Sequence, residues 1–263
     1  MRSINQSSFL KILSGHDYEF LINGFSFKLS EDVQIRNSVF NSLHILKFVQ
    51  SRFKSIYFSD IKLSSRVVFY ECTFDSIKIE SSSINSIEFK NCIIDKLIVS
   101  ENKDIEEILI GGSKINNINI IGNNKLEVLH IGCDNLLDQA TVKNNGKENS
   151  GQSRFFLCPE LFNDIEIDSL TTSLFEIGTF GQFSNLRIDN ITSDQVVFKN
   201  CFDYSAKVKL GNFKPLSDQK SILRITDSYL SSSNFDNDFL TRQNIFLELE
   251  NSTIDYNLSR LVP

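Results

Sequence analysis

The 263-residue chain has no tryptophan, one methionine, only three prolines and eleven glycines. It contains no Gly-rich phosphate loop, no GxSxG and no HExxH, so the common enzyme signatures are missing. No segment approaches the roughly 18 uninterrupted apolar residues of a membrane span. Met1-Arg2-Ser3-Ile4-Asn5-Gln6 has neither an apolar core nor a small-residue cleavage site, so no secretory leader is expected. The five cysteines (Cys72, Cys92, Cys133, Cys158 and Cys201) are odd in number and lack framework spacing, which argues against a disulfide scaffold. There is no CxxC, and His16, His44 and His130 are scattered, so no metal site and no cofactor are expected. A cytoplasmic, thiol-reduced protein is the simplest expectation.

What is present is a core. Hydrophobic residues make up 41% and charged residues 23%, enough apolar content to fold. The apolar set is rich in Ile and Phe, which suits strands better than helices. The net charge of −6 is uneven: residues 1–66 carry nine Lys/Arg against five Asp/Glu, and the rest of the chain carries −10. That acidic balance disfavours nonspecific nucleic-acid binding.

The chain repeats. Val67-Val68-Phe69-Tyr70-Glu71-Cys72, Ile87-Glu88-Phe89-Lys90-Asn91-Cys92 and Val196-Val197-Phe198-Lys199-Asn200-Cys201 nearly coincide, and the first two begin 20 residues apart. The finer period is five. Phe69, Phe74, Ile79, Ile84, Phe89, Ile94 and Val99 are apolar centres, each preceded two residues earlier by a second inward position (Val67, Cys72, Ile77, Ser82, Ile87, Cys92, Leu97). On a helix, positions five apart are rotated by a net of about 140°, so the stripe would wander around the surface. A coil with four five-residue sides keeps every such position inside and stacks residues 20 apart. One extra residue follows Asn102 and another follows Asn123, predicting stacked bulges and a ladder of two Asn side chains. The frame returns at Val33–Phe40, Ile56–Leu63, Leu186–Ile191, Leu223–Phe235 and Leu247–Ile254. The expected architecture is all-β, a parallel β-helix or β-solenoid with about 20–21 residues per coil, a short N-terminal cap and loop insertions.

Cys72-Thr73-Phe74-Asp75-Ser76, Cys92-Ile93-Ile94-Asp95-Lys96 and Ser252-Thr253-Ile254-Asp255-Tyr256 resemble the pentapeptide-repeat family, which has a small residue at the first inward position and Leu or Phe at the central one. Every second unit departs, carrying Ile, Leu or Val at the small position, which implies a wider or flatter coil than the family's square one. The resemblance covers roughly residues 33–131 and 186–256. Some members of that family mimic duplex DNA and bind a topoisomerase. Over a shorter stretch, Leu97-x-Val99-x-x-Asn102-x-x-Ile105-x-x-Ile108 is similar to a leucine-rich repeat, the weaker alternative.

Residues 1–30 fall outside the frame and read as a cap, with a short helix after Ser7-Ser8. Residues 31–258 read as one solenoid domain, with irregular insertions near 43–55 (a short helix or loop), 134–164 and 212–219, and with 143–152 as a mobile loop. Residues 259–263 read as a tail, where Leu261-Val262-Pro263 after Ser259-Arg260 matches the start of a protease-cleavable tag.

The leading functional expectation is a non-enzymatic protein-interaction or scaffold module with a protein partner, no nucleic acid and no membrane; an end coil also offers a surface for self-association. Its candidate contact residues are Lys47, Arg52, Lys54, Lys143 and Lys147, in the basic and polar interruptions of the frame. The alternatives are the DNA-mimicking topoisomerase binder that the resemblance implies and a carbohydrate-active β-helix enzyme. For the last, Asp164, Glu166 and Asp168 share one strand face but have no basic residue beside them in sequence. No catalytic residue is assigned. Cys72, Cys92 and Cys201 read as core residues, Cys133 and Cys158 as less constrained, and His16-Asp17 as a turn pair.

Overall fold

The computed structural model describes residues 19–23, 33–36, 45–146, 153–178, 183–199, 207–216, 221–226, 229–231, 245–250 and 252–255. Regular structure there is entirely strand: β1 (Glu19–Asn23), β2 (Val33–Arg36), β3 (Ile45–Val49), β4 (Arg52–Ser59), β5 (Lys62–Tyr70), β6 (Thr73–Glu80), β7 (Ser83–Lys90), β8 (Ile93–Ser100), β9 (Glu107–Gly111) and β10 (Lys114–Ile121). It continues with β11 (Val128–Ile131), β12 (Leu136–Gly146), β13 (Arg154–Leu157), β14 (Leu161–Gly178), β15 (Phe183–Lys199), β16 (Lys207–Leu210), β17 (Phe213–Lys214), β18 (Ser221–Thr226), β19 (Tyr229–Ser231), β20 (Ile245–Glu250) and β21 (Thr253–Asp255). Every described pairing is parallel, and each strand pairs with the one a full coil away. This is a β-solenoid. One column stacks β4, β6, β8, β10, β12 and β14; the other stacks β3, β5, β7, β9, β11 and β13.

The five-residue frame explains the coil. Between Val67 and Val99 the buried positions come in pairs (67 and 69, 72 and 74, 77 and 79, and so on), separated by two outward residues. Each pair fills one side and each outward couple turns a corner, so an eight-residue strand such as β6 bends once within itself. Two kinds of corner alternate. One lies inside a strand. The other is a short turn whose first residue has positive φ: Glu71, Ser81, Asn91 and Glu101 fall ten residues apart, followed in later coils by Gly112 and Gly122. The left-handed region costs an ordinary residue roughly 1 kcal/mol, and Asn and Gly relieve that cost at some rungs. The residue after each of these six turns is the small inward one: Cys72, Ser82, Cys92, Asn102, Ser113 and Asn123; the Asp60 turn one coil earlier is followed by Ile61 instead. The departure of every second pentapeptide is therefore structural, because Val67, Ile77, Ile87 and Leu97 follow the other kind of corner.

The core is a set of ladders. Phe69 stacks between Phe48 (4.9 Å between ring centroids) and Phe89 (5.0 Å), and Phe53 stacks on Phe74 (5.4 Å). Phe69 also meets Phe74 edge to face across the corner. Further along the axis the same ladder turns aliphatic, Phe89 lying over Ile110 and Ile110 over Ile131. At the amide corner, Asn102 Nδ2 donates to Asn123 Oδ1 (3.0 Å) and Asn123 Nδ2 to Asn145 Oδ1 (3.0 Å). The ladder has three Asn rungs, one more than the spacing predicts. The extra residues after Asn102 and Asn123 do stack. They are tied outside by Lys125 Nζ to Asp104 (2.5 Å), while Ile105 and Leu126 fill the inside.

Several expectations change. Residues 45–49 and 52–55, expected within a helix or loop, belong to strands β3 and β4, the latter running on into the expected unit at Ile56. Leu46, Phe48, Ser51, Phe53, Ile56 and Phe58 are their buried positions, and Ser51 supplies the small rung. Within 134–164 the frame continues: Leu137, Ala140, Val142 and Asn145 point inward along β12, and Phe155 and Leu157 along β13. The expected loop at 143–152 is strand through Gly146, which pairs with Thr171; residues 147–152 lie outside the described residues. Gly146 has φ of 102°, and a Cβ there would sit 1.8 Å from the Thr171 carbonyl oxygen, so only glycine fits. In the 212–219 run, Phe213–Lys214 pairs with Ile191–Thr192 as β17. The expected cap contains β1, which pairs with β3. The proposed helix at 7–15 and the tail at 259–263 lie outside the described residues.

Candidate functional site

Outward side chains stack from coil to coil as inward ones do. On the column built from β10, β12, β14, β15 and β16, one outward row runs Asn117, Gln139, Asp164, Asn185. The next runs Asn119, Thr141, Glu166, Arg187, Lys209. Between the two rows lies a channel of about 580 Å³, floored at Ala140, Ile165 and Leu186. Its walls are joined along the axis. Asn117 Nδ2 donates to Gln139 Oε1 (3.0 Å) and Asn185 Nδ2 to Asp164 Oδ1 (2.5 Å). Glu166 lies between two cations, 2.6 Å from Lys143 Nζ and 3.8 Å from an Arg187 nitrogen. Asp168, one position beyond the channel wall, accepts from Asn190 Nδ2 (2.8 Å) and from the Ser169 hydroxyl.

This corrects the reading that no basic residue accompanies Asp164, Glu166 and Asp168. Lys143 lies 23 residues before Glu166 and Arg187 lies 21 after it, far in sequence but one strand spacing away across a parallel ladder. The channel can hold a polar ligand, through amides and one carboxylate on the first row and a carboxylate and two cations on the second. It has no aromatic platform for stacking.

The five predicted contact residues do not converge. Lys47 is half-buried on β3. Arg52 and Lys54 are exposed around the next corner on β4. Lys143 sits several coils away, engaged by Glu166, and Lys147 lies outside the described residues. Sequence reasoning found Asp164, Glu166 and Lys143 of the channel neighbourhood and missed Asn117, Gln139, Thr141, Asn185, Arg187 and Lys209. The signal for them is the row pairing, which needs coil offsets of 22, 25 and 21 to be known in advance.

A second concavity of about 410 Å³ lies on the other column around Leu109, Gly111, His130, Gly132 and Asp134, with Glu88 and Lys90 at its rim. The His130 ring packs on Phe156 at 4.8 Å. Cys72 and Cys92 are core residues, as expected, and their thiols donate to the Phe48 and Phe69 carbonyls. Hydrogen bonding to Cys72, together with burial, pushes the Cys92 thiol far above its ordinary value. Cys133 is exposed, whereas Cys158, expected to be less constrained, is buried. Cys201, His16 and His44 lie outside the described residues. Among the described residues no group of three or more His, Cys, Asp or Glu is arranged to hold a metal ion, and no helix is long and apolar enough to cross a membrane. Comparison with known proteins finds no matching family model, no similar curated protein and no similar solved structure.

Proposed function

We propose that the chain is a non-enzymatic interaction module, a divergent pentapeptide-repeat solenoid that presents the channel between β10 and β16 to a protein partner in the cytoplasm. The observation that carries this reading is the channel itself: amides and charges of both signs from successive coils line one concave strip on a hydrogen-bonded scaffold. A solenoid separates core from surface, so such a strip can be specific without disturbing folding. The small inward residue after the left-handed turns at Gln50, Glu71, Ser81, Asn91, Glu101, Gly112 and Gly122 supports the pentapeptide-type frame.

The test is affinity capture from native lysate with three baits. Thr141→Arg places a long side chain in the channel, and Arg52→Glu/Lys54→Glu alters the basic patch outside it. A stoichiometric partner held by wild type and by the β4 variant but lost with Thr141→Arg is the expected result. Equal capture by all three, or loss only with the β4 variant, overturns the channel as the contact surface.

A carbohydrate-active enzyme is the second reading, favoured by Lys143 and Arg187 beside the carboxylates. Calcium-dependent turnover of an acidic polysaccharide that Glu166→Gln abolishes would replace the first reading with it. A DNA-mimicking topoisomerase binder ranks third, because Arg187 and Lys209 follow Glu166 along this face where a duplex mimic needs rows of negative charge. Stoichiometric inhibition of supercoiling is its discriminating assay.

A further inference from the structure

We propose that Cys133 and Cys158 are a modification site: a pair of thiols on consecutive coils that a small-molecule disulfide converts into a reversible cross-link. Ile131 pairs with Leu157 across β11 and β13, and the Cys158 N–H continues that register by donating to the Ile131 carbonyl (2.8 Å). Cys158 therefore faces Gly132, and Cys133 is one step further along. Neighbouring coils lie about 4.8 Å apart, and Cys133 is the residue next to the partner of Cys158, at the start of the turn that leaves β11, so the two cysteines occupy neighbouring positions on consecutive coils. Cys133 is near enough to add to the upward shift of the Cys158 thiol, whose Sγ also reaches over Gly178 of the following coil. Gly132 has no side chain to part them.

The two thiols divide the chemistry. Cys133 is exposed, in a turn, and open to attack from solvent. Cys158 is 5% exposed, and burial pushes its thiol up to about 12, with the neighbouring Cys133 adding to the shift. Cys133 is thus the entry point. Its thiolate attacks one sulfur of the disulfide RSSR, the S–S bond breaks, and RS⁻ leaves and takes a proton, giving a mixed disulfide on Cys133. Cys158 then loses its proton and attacks the Cys133 sulfur, expelling the second RS⁻, which is protonated in turn. Two protein thiols are oxidised to one disulfide, and RSSR is reduced to two RSH. The cross-link closes the 24 residues between the two cysteines, a stretch that includes β12, its channel residues Gln139 and Thr141, and Lys143, the ion-pair partner of Glu166. The inference stands independently of what the channel binds.

Cys72 and Cys92 provide an internal control. They too lie on consecutive coils, but both are about 1% exposed and sealed in the core, out of reach of an external oxidant.

The test is incubation of the folded protein with oxidised glutathione, followed by alkylation under denaturing conditions and peptide mass spectrometry. The expected product is one Cys133–Cys158 link, with Cys72 and Cys92 still alkylated, a Tm raised by about 5 °C, and full reversal by dithiothreitol. Cys158→Ser is expected to stop at a glutathione adduct on Cys133, and Cys133→Ser to give neither adduct nor link. Free thiols at both positions after oxidation, a link from either one to Cys201, or an adduct on Cys133 that never resolves in the wild type would each overturn the proposal.

Discussion

At one corner of the solenoid the inward rungs are Ser51, Cys72, Cys92 and Ser113, flanked by Phe48, Phe69 and Phe89 on one side and by Phe53 and Phe74 on the other. At the other left-handed corner the rungs are Ser82, Asn102, Asn123 and Asn145, flanked by Ile and Val. The first corner holds together by ring packing, and its small rungs fill the space the rings leave. The second, beyond Phe58 in its first coil, has no rings and holds together by amides. Asn123 shows how complete that is. Its Oδ1 accepts from the Asn102 N–H and Nδ2, and its Nδ2 donates to the Val99 carbonyl and to Asn145 Oδ1. A buried amide is tolerable when all its hydrogen bonds are made and costly when they are not. One solenoid thus closes its coils by dispersion at one corner and by directed hydrogen bonds at the other, and the extra residues of the longer coils accompany the amides.

Substitutions separate the two mechanisms. Phe69→Ala removes the middle ring of the stack and is expected to cost about 3–5 kcal/mol in denaturant unfolding, the largest effect at the aromatic corner. Asn123→Leu keeps the volume but strands the Asn102 donors and the Val99 carbonyl, and is expected to cost about 3 kcal/mol. Cys92→Ala, the equivalent change at the aromatic corner, removes only a small packed group and is expected to cost about 1 kcal/mol. If Asn123→Leu costs no more than Cys92→Ala, the amides are not what closes the second corner. Glu101→Gly relieves a positive-φ residue (53°) in the turn before Asn102 and is expected to stabilise by up to about 1 kcal/mol, read as a small rise in Tm.

The smallest effect is electrostatic. Hydrogen bonds from Lys125 and Ser83 hold the Asp104 carboxyl below its ordinary value. The folded state therefore favours the ionised form. The resulting stability is fully present above the ordinary carboxylate range and is lost as pH falls through the lowered folded-state value. Both partners are more than a third exposed, so the term is screened. Lys125→Met should flatten a slight acid-side loss of stability and weaken its salt dependence.

Much of this was legible in the sequence, for a physical reason. A ladder stacks like on like, so Phe69 over Phe89, Cys72 over Cys92 and Asn102 over Asn123 announce the coil length directly. The frame is hard to see where outward charges interrupt it. In β3 and β4, Lys47, Arg52 and Lys54 sit between Leu46, Phe48, Phe53 and Ile56, and the small rung Ser51 looks like a loop residue. The channel was the least legible part. Its rows depend on offsets that change from coil to coil, and no single period lines up Gln139, Asp164 and Asn185. Glu166 between Lys143 and Arg187 is a product of register alone.

The central claim is the alternation of inward and outward positions around stacked coils, and adjacent residues test it most directly. Phe89 is fully buried in the ring stack, and Lys90, the next residue, is exposed. Thermal unfolding of Phe89→Asp beside Lys90→Asp should show the first variant unfolded or melting far below wild type, because it puts a charge into the stacked core. The second should melt within a few degrees of wild type. Equal melting temperatures for the two variants would contradict the frame and the solenoid built on it.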